Sequence, residues 1–505
     1  MAPSNEARGT TMTGATSSRV GTVDNVPRLL AGLSLLHLLI WTAVPTLVTT
    51  NAPFEVVRAV AYGHEWQMGY RTGPPLVPWL LEGIVELAGT RLWPFFLSAQ
   101  LCLVFTFVIV WKLARRFCGP WGAFAAVLAV EGVYFASNAS PELNPSVVQM
   151  PLAALFGWRL HGALVGKRMI DWIIVGLSLG LGLWASYSMA AYVAVLAVVP
   201  WFSRWRGLSW AGVGLATAVA AALILPHVAW LADGGLDQIV GRVGEHRHPI
   251  GGQAGVGGIA LPILGRLLAT LPFWLIAATL LAWHRHGIAI ERSSEVSDAD
   301  RNVALALAIC PVVALVVFVG ITGRGFDRML DGGIWCFMGL AIVIGWRPVI
   351  SAERVRWFGL SWAFVFLLPV FSFTMTHTVG LLLSKRELKA HFPGALVART
   401  VTDEWRRLSG RPLRYVVGSG WLAGNVGLYS PDRPTVFVRA DPRRNPWVDL
   451  HDLAEDGAVL IWSVEKDGAD IPEELSRVFP AAVRQPVIEV HVLSRRYEIG
   501  WAMAR

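Results

Sequence analysis

Eleven apolar runs punctuate this chain, and they leave few folds open to it. They fall at roughly 30–50, 92–111, 118–136, 144–160, 170–182, 186–201, 208–231, 263–284, 303–321, 333–349 and 357–380. About 20 apolar residues cross a bilayer as a helix, the form that satisfies every backbone group without water. The runs therefore predict a polytopic α-helical membrane protein with about 11 transmembrane helices. Those at 170–182 and 186–201 are short for a straight span. They predict short helices meeting partway through the protein, where neighbours cover polar backbone. Only 15% of the 505 residues are charged and 54% are hydrophobic, whereas soluble domains carry about 25% charged residues.

The loop charges orient the spans. Lys112, Arg115 and Arg116 follow the second run, Lys167 and Arg168 the fourth, and Arg204 and Arg206 the sixth. Arg285, Arg292 and Arg301 follow the eighth run, and Arg347, Arg354 and Arg356 the tenth. Basic loops stay in the cytoplasm, so the N-terminus is cytoplasmic and residues 383–505 lie outside. Residues 28–382 form the membrane domain. The net charge of +8 lies between spans and does not point to nucleic acid. Residues 1–27, rich in Ser, Thr and Gly, read as a disordered cytoplasmic tail. Cys102, Cys118, Cys310 and Cys336 show no CxxC spacing and read as small buried residues.

The outer loop 51–91 concentrates polar chemistry. Its stretch 74–88 is apolar but short and carries Glu82 and Glu86, so it reads as an interfacial helix opened by Pro74 and Pro75. A first interfacial helix is expected at 53–67. Glu55 and Arg58 share a helical face; they suit a general base aimed by a cation, or an ion pair anchoring the helix. His64 and Glu65 lie further along, where they fit either a site role or a solvent-facing one. Tyr70 and Arg71 precede the prolines, and Arg71 fits either a phosphate contact or a cation snorkelling to headgroups. In the second outer turn, Glu142 is a carboxylate able to meet the first loop, and Asn144 is either a site residue or a helix cap. Ser186 and Tyr187 lie at the junction of the two short runs, where small residues also serve helix packing.

Two further outer loops carry charge. Residues 232–262 hold Asp233, Asp237, His246, Arg247 and His248 before a glycine run that reads as a flexible flap. Histidines two apart do not share a helical face, and no metal ligand set emerges. Residues 322–332 place Arg324 and Arg328 outside, against the bias of the other loops. They suit bidentate binding of a lipid phosphate, or pairing with Asp327 and Asp331. After Ser384 the composition turns soluble: an amphipathic helix, then strands in LRYVVGSG, PTVFVRA, AVLIWSV and IEVHVLSRR. Residues 383–505 read as a C-terminal soluble α/β domain.

These stretches together, NAPFEVVR, GHEWQMGYRTGPPLVPWL, SPELNPSVVQMPLAALFGW and GLGLWASYS, resemble the bacterial family 39-like membrane glycosyltransferases. That family includes enzymes adding galacturonic acid or aminoarabinose to lipopolysaccharide, and shares the GT-C fold with protein O-mannosyltransferases. The resemblance covers about residues 30–385. It implies an inner-membrane enzyme acting on the periplasmic side, with a polyprenyl-phosphate sugar donor and no nucleotide or other cofactor. The acceptor would be a cell-envelope glycan or lipid, with membrane lipids the remaining partners. It places the family's first-loop acid on Glu55, where aspartate is usual, and its loop arginine on Arg58. Gly73 stands where a histidine is usual, and Ser186 where a lysine often precedes Tyr187. Pro141 to Asn144 match the motif after the third span, and Arg324 and Arg328 the basic loop before a late one. The implied mechanism is inverting: Glu55 is the base, Arg324, Arg328 and Arg71 hold the donor phosphate, and Arg58, Tyr70, Glu142, Asn144 and Tyr187 line the substrate site. Two rivals fit the topology: a transporter or flippase of a lipid-linked substrate, and a non-catalytic subunit of a polysaccharide assembly complex. A transporter predicts internal repeats and charge within spans, whereas the charges here read as crowded at the outer edge.

Overall fold

The structure, a computed structural model, describes residues 25–137, 139–202, 208–239, 271–281, 289–291, 297–322, 332–346, 350–383, 389–492 and 495–504. Helices α1 (Val26–Val48), α4 (Leu92–Ala114), α5 (Pro120–Glu131), α6 (Pro145–Gly166), α7 (Met169–Ala185), α8 (Val193–Phe202) and α9 (Trp210–Trp230) build the first part of a helical bundle. Helices α10 (Leu271–Leu281), α11 (Asp298–Thr322), α12 (Met338–Trp346) and α13 (Ala352–His377) complete it. Among the described residues, five helical stretches are long and apolar enough to cross a membrane: Val26–Val48, Leu92–Ala114, Trp210–Ile239, Asp298–Phe318 and Glu353–Leu381. Shorter apolar helices lie beside them, among them Pro120–Glu131 and Met169–Ala185. Outward-facing Leu35 and Leu39 on α1, Val313 and Val317 on α11, and Leu367 and Phe371 on α13 give the bundle an apolar surface suited to lipid. The helix starts follow local chemistry. Pro27 and Pro145 occupy first-turn positions of α1 and α6, where a missing N–H costs nothing. The expected second short span opens as a 3-10 helix, Tyr187–Tyr192, before α8.

Two features of the bundle differ from the sequence reading. Its spans contain fully buried ionisable groups, His37 on α1 and Glu131 on α5, so charge is not confined to the outer edge. The expected first interfacial helix is shorter than 53–67: α2 runs from Phe54 to Gly63 and α3 from Leu76 to Ala88. Gly63 ends α2 where the chains cross; a Cβ there would sit 2.2 Å from the Pro78 carbonyl oxygen. That close approach lets α2 and α3 pack together.

A two-stranded ribbon, β1 (Ala289–Glu291) with β2 (Ile350–Ser351), lies among the later helices. The C-terminal residues form a sheet of six strands: β3 (Tyr415–Gly418), β4 (Thr435–Val438), β5 (Ala458–Ser463), β6 (Val483–Arg484), β7 (Ile488–Val492) and β8 (Arg495–Ala504). The order runs β4-β3-β5-β8-β6, with β7 also paired to β8. Strands β3, β4 and β5 are parallel, whereas β8 runs antiparallel to its partners. The last strand holds Trp501, Ala502 and Met503 buried, so an apolar tail lies in the middle of a sheet. Helices α14 (Gly394–Ser409) and α15 (Leu422–Tyr429) share one core with α2, α3 and one sheet face. Val56, Val57 and Val60 of α2 are buried in that core with Val397, Leu422 and Val426. Each such side chain contributes about 1.5–3 kcal/mol on full burial. The outer loop is therefore seated on the C-terminal region.

Candidate functional site

The first outer loop is pinned before its charges begin. The Thr50 and Asn51 amides donate to the Ala390 carbonyl at 3.0 and 2.9 Å. The Asn51 side chain donates to Asn425 Oδ1 at 3.0 Å, and the Ala52 amide donates to the Tyr429 hydroxyl at 3.0 Å. Helix α2 then starts, placing Glu55 in its first turn, where the helix dipole favours a carboxylate. Arg58 donates to Glu55 one turn on, and both side chains remain partly exposed.

Lys389 joins them from beyond the last membrane helix. Its ammonium sits 3.7 Å from the Phe54 ring centroid and 5.5 Å from that of Trp421, while the Arg58 guanidinium lies 5.5 Å from Phe54. Cations over aromatic faces are held there by the ring quadrupole. Glu142 completes the group. Its carboxyl is pushed up to about 7, first by burial and next by the negative charge of Glu55, with Arg58 and Lys389 pulling it back. Two carboxylates and two cations thus lie within electrostatic reach of one another. The sequence reading named Glu55, Arg58 and Glu142 and missed Lys389. Its only signal is a basic residue on the outer side, against the inside bias.

The other expected site residues have different surroundings. Asn144 is buried, and its side chain is committed to its own turn: Oδ1 accepts from the Val147 amide at 3.1 Å, while Nδ2 donates to the Ala139 and Glu142 carbonyls. It caps α6 and shapes the Glu142 turn, the cap alternative of the sequence reading. Tyr70 is also buried; its hydroxyl accepts from the Gln67 amide at 2.9 Å and its ring stacks on Tyr62. Burial raises that phenol above its ordinary range. Arg71 is buried and donates to the Gln238 carbonyl at 3.4 Å, tying the loop to the end of the α9 stretch. Gly73 has φ +135° in a turn where the Tyr70 and Gly73 amides and carbonyls bond reciprocally. An L-residue is strained there, so glycine at position 73 answers a backbone demand.

Tyr187 is held by a residue the sequence reading missed. Its hydroxyl donates to His227 Nε2 at 2.8 Å, while His227 Nδ1–H donates to the Met68 carbonyl at 2.6 Å. That pair of bonds selects the Nδ1–H tautomer and links α9, the loop before Arg71 and the 3-10 turn. Ser186 caps that turn. A lone histidine inside an apolar run offered no signal for this role. Arg324, Arg328, Asp327, Asp331, His246, Arg247 and His248 lie outside the described residues, as does most of the expected flap. Among the described residues, no group of three or more His, Cys, Asp or Glu side chains has the arrangement to hold a metal ion.

His64 and Glu65 are both half-buried. His64 Nδ1 lies 3.0 Å from Glu82 Oε1, and Arg433 donates to both Glu82 oxygens at 2.6 Å. Burial raises the Glu65 carboxyl, opposed by the charge of His64 and a hydrogen bond from Thr435. This cluster stitches the loop to the sheet.

Known proteins match this chain in sequence and in fold. Residues 72–230 match the family described as dolichyl-phosphate-mannose-protein mannosyltransferase; the stretch includes Glu142 and Tyr187 and begins after Glu55. The chain is 23% identical over 444 residues to the lipopolysaccharide core galacturonosyltransferase RgtA of Rhizobium johnstonii, covering 82% of this chain and 83% of the relative. It is 23% identical to the lipopolysaccharide core galacturonosyltransferase RgtB of the same organism, covering 87% and 88%. The fold is shared with the crystal structure of ArnT from Cupriavidus metallidurans bound to undecaprenyl phosphate, at TM-score 0.50 and 14% identity, over 96% of this chain and 99% of that one. In sequence and fold the chain is thus similar to PMT/ArnT-like membrane glycosyltransferases. The four-charge group is built from α2, the turn before α6 and a residue beyond the last long apolar helix, Lys389.

Proposed function

We propose that this glycosyltransferase moves a sugar from a polyprenyl-phosphate donor to a cell-envelope acceptor, lipopolysaccharide first among them, on the periplasmic side of the inner membrane. The observation that carries the reading is the convergence of Glu55, Arg58, Glu142 and Lys389 at one edge of the helical bundle. The relatives' lipopolysaccharide acceptors and the undecaprenyl phosphate held by ArnT supply the substrate classes. The eleven spans, the cytoplasmic N-terminus and the periplasmic C-terminal domain over 383–505 belong to the same reading.

In the reaction, Glu55 takes the proton of an acceptor hydroxyl. The acceptor oxygen forms its bond to the anomeric carbon from the face opposite the phosphate. The bond from that carbon to the phosphate oxygen breaks, and its electron pair leaves with the polyprenyl phosphate. Configuration inverts. Arg324, Arg328 and Arg71 neutralise the leaving phosphate, where fixed charge contributes most. Replacing Arg324 and Arg328 together by glutamine is expected to raise the donor KM by roughly tenfold or more, since charge-assisted hydrogen bonds contribute about 1.5–3 kcal/mol each. An unchanged KM removes them from the phosphate site.

The deciding experiment supplies radiolabelled polyprenyl-phosphate sugars to membranes containing the full chain. Label is expected to appear in the lipopolysaccharide fraction. Label crossing the bilayer without transfer identifies a transporter, and neither outcome identifies a non-catalytic subunit. The Glu142 carboxyl adds a pH signature. It gains its charge as pH rises through about 7, so kcat/KM is expected to rise over that range, and Glu142→Gln to flatten the profile. Stability has the opposite sign. The folded form holds a proton that the unfolded chain releases, so Glu142 destabilises the fold as pH rises from 4.5 to about 7. A wild-type profile that persists in the variant assigns the titration to another group.

A further inference from the structure

Three polar side chains outside the charge group form a chain of their own inside the bundle. His37 on α1, Gln100 on α4 and Glu131 on α5 are each at most 1% exposed. His37 Nδ1 faces Glu131 Oε1 at 2.7 Å, and His37 Nε2 faces Gln100 Oε1 at 2.8 Å. Gln100 Nε2 donates to the Ser140 carbonyl at 2.9 Å. Phe107 packs edge-on against the imidazole at 5.2 Å, and Phe366 lies 6.2 Å away, so apolar rings close around it. Ionisable groups within membrane spans are costly and are kept where they serve a purpose.

The hydrogen bonds determine one another. The Ser140 carbonyl accepts only, so the Gln100 amide nitrogen must point at it, and Gln100 Oε1 must point at His37. His37 Nε2 therefore carries a proton. Whether the remaining proton rests on Nδ1 or on Glu131, one proton bridges the two and the ring is fixed. The chain ends at Ser140, two residues before Glu142. Among the described residues, the turn's other side-chain hydrogen bonds are local: Ser140 to Ser137, and Asn144 to Ala139, Glu142 and Val147. The Gln100 bond anchors the turn to a membrane helix.

We propose that His37, Glu131 and Gln100 form a buried positioning relay that fixes the Ser140 carbonyl and, through it, the Glu142 carboxyl in the transfer site. This rests on the reading of Glu142 as a site residue. The relay residues touch no substrate; they act by holding the turn.

The test measures transfer kinetics of the full chain in proteoliposomes with a radiolabelled polyprenyl-phosphate sugar. Gln100→Met, similar in shape but unable to hold Ser140, is expected to lower kcat roughly 10- to 100-fold, the scale of small misplacements, with donor KM little changed. Glu131→Leu is expected to behave alike. Glu131→Gln is expected to retain most activity, because its amide can donate to Nδ1 while Nε2–H stays in place. The double variant Gln100→Met with Glu142→Gln is expected to be no slower than Glu142→Gln alone, the signature of two residues acting through one element. A merely structural loss would multiply with it. Multiplying losses, or full activity of Gln100→Met beside an impaired Glu142→Gln, overturn the relay. Full activity of Glu142→Gln overturns the assignment of Glu142 itself, and the relay's role with it. If Gln100→Met fails to fold, the contrast between Glu131→Gln and Glu131→Leu decides: equal losses in both overturn the proposal.

Discussion

Glu55→Gln is expected to lower sugar transfer roughly 10²- to 10⁴-fold, the contribution of a positioned general base, while donor binding and folding stay intact. The side chain is about one-third exposed at the start of α2, so its replacement by an isosteric amide creates no cavity. The amide oxygen still accepts from Arg58. What disappears is the capacity to take the acceptor's proton. The expected signature is a fall in kcat at unchanged donor KM, measured on the purified chain with a polyprenyl-phosphate sugar and an envelope acceptor. Normal turnover would sink the base assignment and leave Glu55 as the ion-paired anchor of an interfacial helix.

Arg433→Met is expected to destabilise the protein by about 3–5 kcal/mol, the range for removing one partner of a buried ion pair. Glu82 is 2% exposed, and Arg433 supplies two hydrogen bonds to its carboxylate while also donating to the Gly427 and Leu428 carbonyls. The variant leaves the carboxylate buried with His64 alone, so the contact between α3 and the C-terminal region weakens. Replacing both Glu82 and Arg433 by methionine is expected to cost much less, because no charge is left stranded. Thermal unfolding in detergent and proteolysis of the C-terminal region report the difference. Acid tests the same contact. Burial alone would raise the Glu82 carboxyl, but hydrogen bonds from His64 and Arg433 with the Arg433 charge hold it below 4.5. A depressed carboxyl stabilises the fold above the unfolded value, and the gain is lost as pH falls through the folded value. Wild type is therefore expected to lose this contact's stability below about 4.5, and the double-methionine variant to lack that component. Equal acid sensitivity in both would place the component elsewhere.

Helix positions were legible where apolar runs met basic loops. The run at 92–111 corresponds to Leu92–Ala114, and the run at 208–231 to Trp210–Trp230. Composition along the chain carries that signal because lipid accepts only a continuous apolar surface. The site was legible in part. Glu55 and Arg58 are neighbours on one helix turn, so their pairing follows from spacing. Asn144 was readable as a cap because a cap is also local. His37 and Glu131 were not, since single polar residues in apolar runs show nothing of the partners that neutralise them.

By itself, the sequence determined a mostly helical membrane protein, because hydropathy, loop charge and local motifs are properties of short stretches. Only the tertiary structure decided which of its residues meet. Lys389 reaches Phe54 across the whole membrane domain, Arg433 finds Glu82 351 residues away, and Gln100 joins His37 to Ser140. Such pairs form because burial forbids an unpartnered charge or amide. The packing of helices and sheet, absent from any local stretch, selects the partner.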